Sequence, residues 1–376
     1  MSSRFELNKK GIKKLKIINV VGARPNFMKI APIHNLMLRT EGIEPYLVHT
    51  GQHYDEKMSK VFFEDLGMPE PNIYLKVGSG SHAVQTAKIM VEFEKVVLEQ
   101  KPDMVLVVGD VNSTVACTLV AVKLGIKTVH VESGLRSFDH RMPEEINRLM
   151  TDVVADYLFV SEESGLENLK KEGVSDDKVF HVGNVMIDSL INNIEAADHS
   201  NIMDSLGVEK EDYVLVTLHR PSNVDDIINT KILIDTLIEV SKKLKIVFPV
   251  HPRTLKNFEK FGFMEGFADN DRIILTEPLG YLDFMKLMKE SKLLLTDSGG
   301  IQEETTYLGK PCLTLRENTE RPSTITQGTN ILIPKLDKEV ILNHVDDIIE
   351  GRVKKGTVPK YWDGGTAERI VEILTR

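Results

Sequence analysis

DMVLVVGDVNSTVACTLVAVKLGIKTVHVE, residues 103–132, decides the fold. An apolar, β-rich run breaks at Gly109 and Asp110, and a segment of helical composition follows. That segment stops on Gly125, where a helix C-cap belongs. A second apolar run then ends in Glu132. Strand, helix and strand in this order, with no hairpin signal between them, make a parallel βαβ unit.

The same alternation extends outward in both directions. On either side of the opening stretch the first series has candidate strands at residues 16–22, 44–50, 157–160 and 178–183, with helical patterns over 28–40 and 83–100. A polar stretch at 192–212 has little strand character and separates this series from a second. There the strands are 212–220, 244–253, 271–277, 292–300 and 311–317, again with helices between them. The expectation is an α/β protein of two doubly wound domains facing across a ligand cleft where strand carboxyl ends meet. The boundaries are an N-terminal extension at 1–14, a first domain at 15–190, a second at 191–360, and a C-terminal helix at 361–376 that could return to the first.

Length supports two cores, because 376 residues exceed what one hydrophobic core usually serves. With 41% hydrophobic and 27% charged residues and no apolar run of spanning length, no membrane segment is expected. A net charge of -9 argues against a broad nucleic-acid surface. Cys117 and Cys312 lie in apolar patterns and read as buried thiols of a reducing compartment. The charged N-terminus lacks a signal peptide's apolar core, so the expected location is the cytoplasm.

Chemistry-bearing residues collect where strands end. Asp110, Glu132, His219, His251 and Asp297 each close an apolar run. Asp110 precedes a helix and has a competing role as its N-cap, whereas the loop after Glu132 offers no helix to cap. In RMPEEINRLM, Pro143 opens a helix with Glu144 and Glu145 in the first turn; Glu144 is also spaced to pair with Arg148. Arg24 and Lys29 flank the first turn and suit an anion. The matching feature of the second domain is DSGGIQEE, where Ser298, Gly299 and Gly300 let backbone N–H groups approach a diphosphate at a helix start. Glu304 follows about one turn later, within reach of a ribose hydroxyl. His219 with Arg220 combines a titratable donor and a fixed cation, and Arg316 and Arg321 lie near the same edge. No zinc, magnesium or dinucleotide signature occurs, so no metal and no cofactor is expected.

Taken together, GARPNFMKIAP, HTGQH, VVGDVNST, HVESGLRS, MPEEINR, TLHRP and DSGGIQEETTYLGKPCLTLRENTERP resemble the non-hydrolysing UDP-N-acetylglucosamine 2-epimerases. The resemblance runs from Gly22 to about Pro322. It implies a glycosyltransferase-B-like pair of Rossmann-like domains, a homodimer, a UDP-sugar substrate and no redox cofactor. It assigns Asp110, Glu132 and Glu144 to the sugar and His219 to the diphosphate. To the nucleotide portion it assigns Arg24, Lys29, Phe284, Ser298, Gly299, Gly300, Glu304 and Arg321; Arg148, Arg220 and His251 complete the candidate substrate contacts. Two departures stand out. Bacterial members carry a basic residue after Gln-His, part of a regulatory substrate site, where this chain has Tyr54 after His53. Pro221 and Ser222 replace a common Arg-Glu. Rival activities on the same architecture are a hydrolysing epimerase and a glycosyltransferase.

Overall fold

The computed structural model describes residues 14–51, 66–268 and 270–376, without the side chains of residues 24, 25, 265 and 268. His53 and Tyr54 therefore lie outside the described residues.

The chain forms two compact units, one built from residues up to Ser189 with Lys360–Arg376, the other from Leu190–Pro359. In the first, the order is β1 (Leu15–Val21), α1 (Arg24–Arg39), β2 (Ile43–His49), β3 (Ile73–Tyr74), α2 (His82–Gln100), β4 (Met104–Val108), α3 (Asn112–Lys123), β5 (Lys127–Ser133), α4 (Pro143–Val154), β6 (Tyr157–Val160), α5 (Glu163–Lys171) and β7 (Val179–His181). Helix α6 (Val185–Asp198) contains the division between the units. The second unit runs β8 (Tyr213–Thr217), α7 (Ile227–Ser241), β9 (Lys245–Pro249), α8 (Pro252–Lys260), β10 (Ile273–Thr276), α9 (Tyr281–Glu290), β11 (Leu293–Thr296), α10 (Gly299–Leu308), β12 (Cys312–Thr314), β13 (Asn330–Leu332) and α11 (Lys338–Ile349). Helix α12 (Thr366–Thr375) packs on α1.

Both sheets are parallel throughout. Their orders are β3-β2-β1-β4-β5-β6-β7 and β10-β9-β8-β11-β12-β13. Each starts at an inner strand, winds to one edge, then returns and winds to the other. The reversal leaves a crevice at the carboxyl ends of β1 and β4 in one sheet and of β8 and β11 in the other, where such sheets bind ligands.

Apolar strands covered on both faces explain this layering. In β4 every residue is buried. In the second unit, Val214, Val216, Leu293 and Leu295 enter one core, while Tyr213, Leu215 and Leu294 enter the other. Helix starts are fixed locally: Ser81 accepts the Val84 N–H at α2, and Asp226 accepts those of Ile228 and Asn229 at α7. Cys117 and Cys312 are free and buried. No helix among the described residues is long and apolar enough to cross a membrane.

Candidate active site

In the first unit the switch point gathers a carboxylate and a lysine. Glu132 lies where the β5–β6 register shifts between Val131 and Ser133, and its φ is +68°. A bulge and a left-handed residue together re-aim a side chain that regular strand geometry would bury in the sheet. Its Oε2 is ion-paired with Lys29 Nζ from α1, both side chains being buried. Its Oε1 is also buried, with no hydrogen-bond partner among the described residues. Such an oxygen is costly to leave bare.

Gly109 makes this approach feasible. Its φ is +66°, and a Cβ there would meet Lys29 Nζ at 3.2 Å, and Asn26 Nδ2 and Glu132 Oε2 at 3.5 Å. Asn26 fixes the wall by donating to Val108 O at 2.9 Å. Lys29, read from sequence as an anion holder, is thus closed on Glu132. The Arg24 side chain lies outside the described residues.

Asp110 does not occupy the N-cap position of α3. The N-cap is Val111, without a side-chain hydrogen bond. Instead Arg148 Nε and Nη2 donate to Asp110 Oδ2 at 3.0 and 2.7 Å, and Asn147 Nδ2 holds Asp110 O at 2.8 Å. Arg148 Nη1 donates to Glu145 Oε2 at 2.5 Å. The helix pair allowed by sequence, Glu144 with Arg148, is therefore corrected: the arginine faces Glu145, three residues back, and Asp110. Glu145 has a structural task as well, accepting Ser137 N and Oγ and Phe138 N at 2.9, 3.0 and 2.9 Å. Glu144 is left half-buried, with no ion pair among the described residues.

Beneath the Gly109–Asp110 turn lies a network that sequence reasoning missed. His130 Nδ1 is 2.6 Å from Asp152 Oδ1, and Nε2 is 2.8 Å from Gly109 O. Burial alone would raise the Asp152 carboxyl, but His130, Arg136 and the Gly134 N–H hold it below the usual range.

In the second unit His219 and Arg220 follow β8, and Asp297 ends β11 beside them. His219 Nδ1 is 3.0 Å from Asp297 Oδ1, while the histidine remains 44% exposed. Arg220 Nε donates to Asp297 O at 3.0 Å. Ser298 is the N-cap of α10 without a side-chain bond at that end, and Gly299 and Gly300 form its first turn. A Cβ on Gly299 would come within 2.8 Å of Arg321 Nη1, so the arginine packs against bare backbone. Arg321 also meets Glu320 at 2.5 Å and Glu303 at 2.9 Å, and Arg316 meets Glu320 at 2.7 Å. Glu304 is buried and accepts the Tyr281 hydroxyl at 3.0 Å. Burial first, and Glu303 beside it, push its carboxyl up to about 8 despite the hydrogen bond. Phe284 packs on the core that contains Ile301. His251 is the N-cap of α8, accepting Arg253 N at 3.2 Å, and its ring lies 6.0 Å from that of His219.

Among the described residues no group of three or more His, Cys, Asp or Glu side chains is arranged to hold a metal ion. The arrangement instead offers buried carboxylates in one unit and, in the other, donors around a helix N-terminus suited to phosphate.

Two parallel sheets of this winding define the glycosyltransferase-B-like fold. The family model of UDP-N-acetylglucosamine 2-epimerases matches residues 36–375. The UDP-N-acetylglucosamine 2-epimerase of Methanocaldococcus jannaschii is 42% identical over 367 residues, covering 96% of this chain and 99% of the relative. The UDP-2,3-diacetamido-2,3-dideoxy-D-glucuronate 2-epimerase of Pseudomonas aeruginosa is 37% identical over 366 residues, covering 96% and 100%. A crystal structure of the M. jannaschii enzyme with UDP-GlcNAc and UDP superposes with a TM-score of 0.88 at 43% identity, covering 96% of this chain and 99% of that one. The chain belongs to the UDP-N-acetylglucosamine 2-epimerase family.

Proposed function

We propose that the protein interconverts UDP-N-acetylglucosamine and UDP-N-acetylmannosamine, without hydrolysis, by eliminating and re-adding UDP. The observation that supports this most is the bare, buried oxygen of Glu132 near the end of β5, whose other oxygen is paired with Lys29 beside Gly109.

C2 of the sugar has no adjacent carbonyl, so its proton is not acidic enough for direct removal. The C1–O bond breaks first, its electron pair leaving with UDP. Positive charge at C1 acidifies C2–H, and loss of that proton gives a 2-acetamidoglucal. UDP then returns to C1 and a proton to the opposite face of C2. Asp110, Glu132 and Glu144 supply negative charge for the cationic centre and sites for the travelling proton. His219, Arg220 and the Ser298–Gly300 turn receive the diphosphate, with Arg321 and Glu304 toward the rest of the nucleotide. Retaining the glucal requires that water be kept from it.

A second reading has a specific basis, because the P. aeruginosa relative matches over nearly its whole length and is named for a diacetamido uronate. The same chemistry would serve, since both sugars carry a C2 acetamido group. The deciding experiment presents each UDP-sugar separately and identifies products by NMR. Intact UDP-N-acetylmannosamine from UDP-N-acetylglucosamine supports the proposal. Free N-acetylmannosamine with UDP points to hydrolysis, and turnover of the uronate alone moves the substrate.

A further inference from the structure

One buried carboxylate serves both turns at the β8/β11 switch point. Asp297 is fully buried. It accepts the His219 N–H at 3.2 and 3.1 Å, the Arg220 N–H at 2.9 Å and Asn223 Nδ2 at 3.0 Å, besides facing His219 Nδ1. Asn223 is itself tied to Leu315 O at 3.0 Å, so the carboxylate cannot turn away. Burial works against its charge, yet these donors, His219 foremost, hold the carboxyl below its ordinary value. An ionised carboxylate only accepts, so the hydrogen between the two side chains belongs to His219 Nδ1. Nε2 is then the ring atom left for chemistry. From there a proton on Nε2 can be donated to a phosphate oxygen. The Asp297 main chain meanwhile anchors Arg220, and the next residue opens the Ser298–Gly300 turn.

We propose that Asp297 is a positioning residue that fixes the tautomer and aim of His219, so that Nε2 serves the departing diphosphate. This rests on the reading of His219 given above. A purely structural role, knitting two turns, would predict lost stability but no change in tautomer.

The test uses the full chain labelled with ¹⁵N-histidine and the variant Asp297→Asn, whose amide keeps the shape and reverses the hydrogen bond to Nδ1. Expected are a neutral His219 protonated at Nδ1 in the parent, a switch to Nε2–H in the variant, and turnover lower by roughly a hundredfold or more, as in other His–Asp pairs. UDP affinity should stay within a few-fold of the parent. A parent His219 protonated at Nε2 overturns the inference, as does a variant that keeps both tautomer and turnover. Should the variant not fold, the parent spectrum alone decides. Failure of the functional reading has its own signature: His219→Asn with full turnover, or a parent inert toward UDP-sugars, while the spectrum still reports on Asp297.

Discussion

Glu132 combines a left-handed backbone, a buried ion pair and an unpartnered oxygen. Each feature costs stability, and together they point to a group held ready for substrate. Glu132→Gln, Asp110→Asn, Glu144→Gln and His219→Asn should each lower turnover by two to three decades, the loss of roughly 3 to 4 kcal/mol typical of one preorganised electrostatic group. Steady-state kinetics check this, and near-parental turnover in any of them removes that residue from the mechanism. Glu304 gives a different prediction. Its carboxyl rises to about 8 in the fold from 4.5. Between these values the folded chain keeps a proton that the unfolded chain has released, so this share of stability is present at low pH and lost as pH rises through 8. Glu304→Gln should therefore melt higher than the parent above pH 8 and like it near pH 5, by a few kcal/mol at most. His34 and His49, each pushed down to about 4 by burial, titrate in both proteins and cancel. A difference that stays flat with pH contradicts the assignment.

At the scale of elements, the last segment of the chain belongs to the first unit. Trp362 is buried and donates to Ser161 O at 2.9 Å, and the Ala367 N–H reaches Asp188 Oδ2 at 2.7 Å. Trp362→Ala should cost about 3–5 kcal/mol, read as a lowered denaturation midpoint. A change below 1 kcal/mol would show that the segment is not part of that core. The long strands were legible because buried parallel strands are continuous apolar runs. The edge strands β3 and β13, of two and three residues, were missed, whereas β7 and β12, three residues each, were read because apolar residues continue past the paired segment. Strand-end acids were legible too, as polar residues closing apolar runs. Their partners were hidden by sequence distance: Lys29 and Glu132 are 103 residues apart, Arg148 and Asp110 are 38 apart, and Asp297 and Arg220 are 77 apart. Asp297 had the same strand-end signal as Asp110, but only the structure supplied its histidine.

For the whole molecule, the proposal divides labour along the chain, with the sugar's carboxylates in the first unit and the donors for diphosphate in the second. Each unit has its own sheet, core and switch point. In the proposed reaction the C2–H bond breaks while the nucleotide is detached, and both bonds are later restored. Its most direct test is turnover of UDP-N-acetylglucosamine in D₂O, followed by proton NMR. Deuterium is expected at C2 of intact UDP-N-acetylmannosamine; an epimer that keeps its original C2 hydrogen, or a substrate left unchanged, would overturn the elimination and re-addition of UDP.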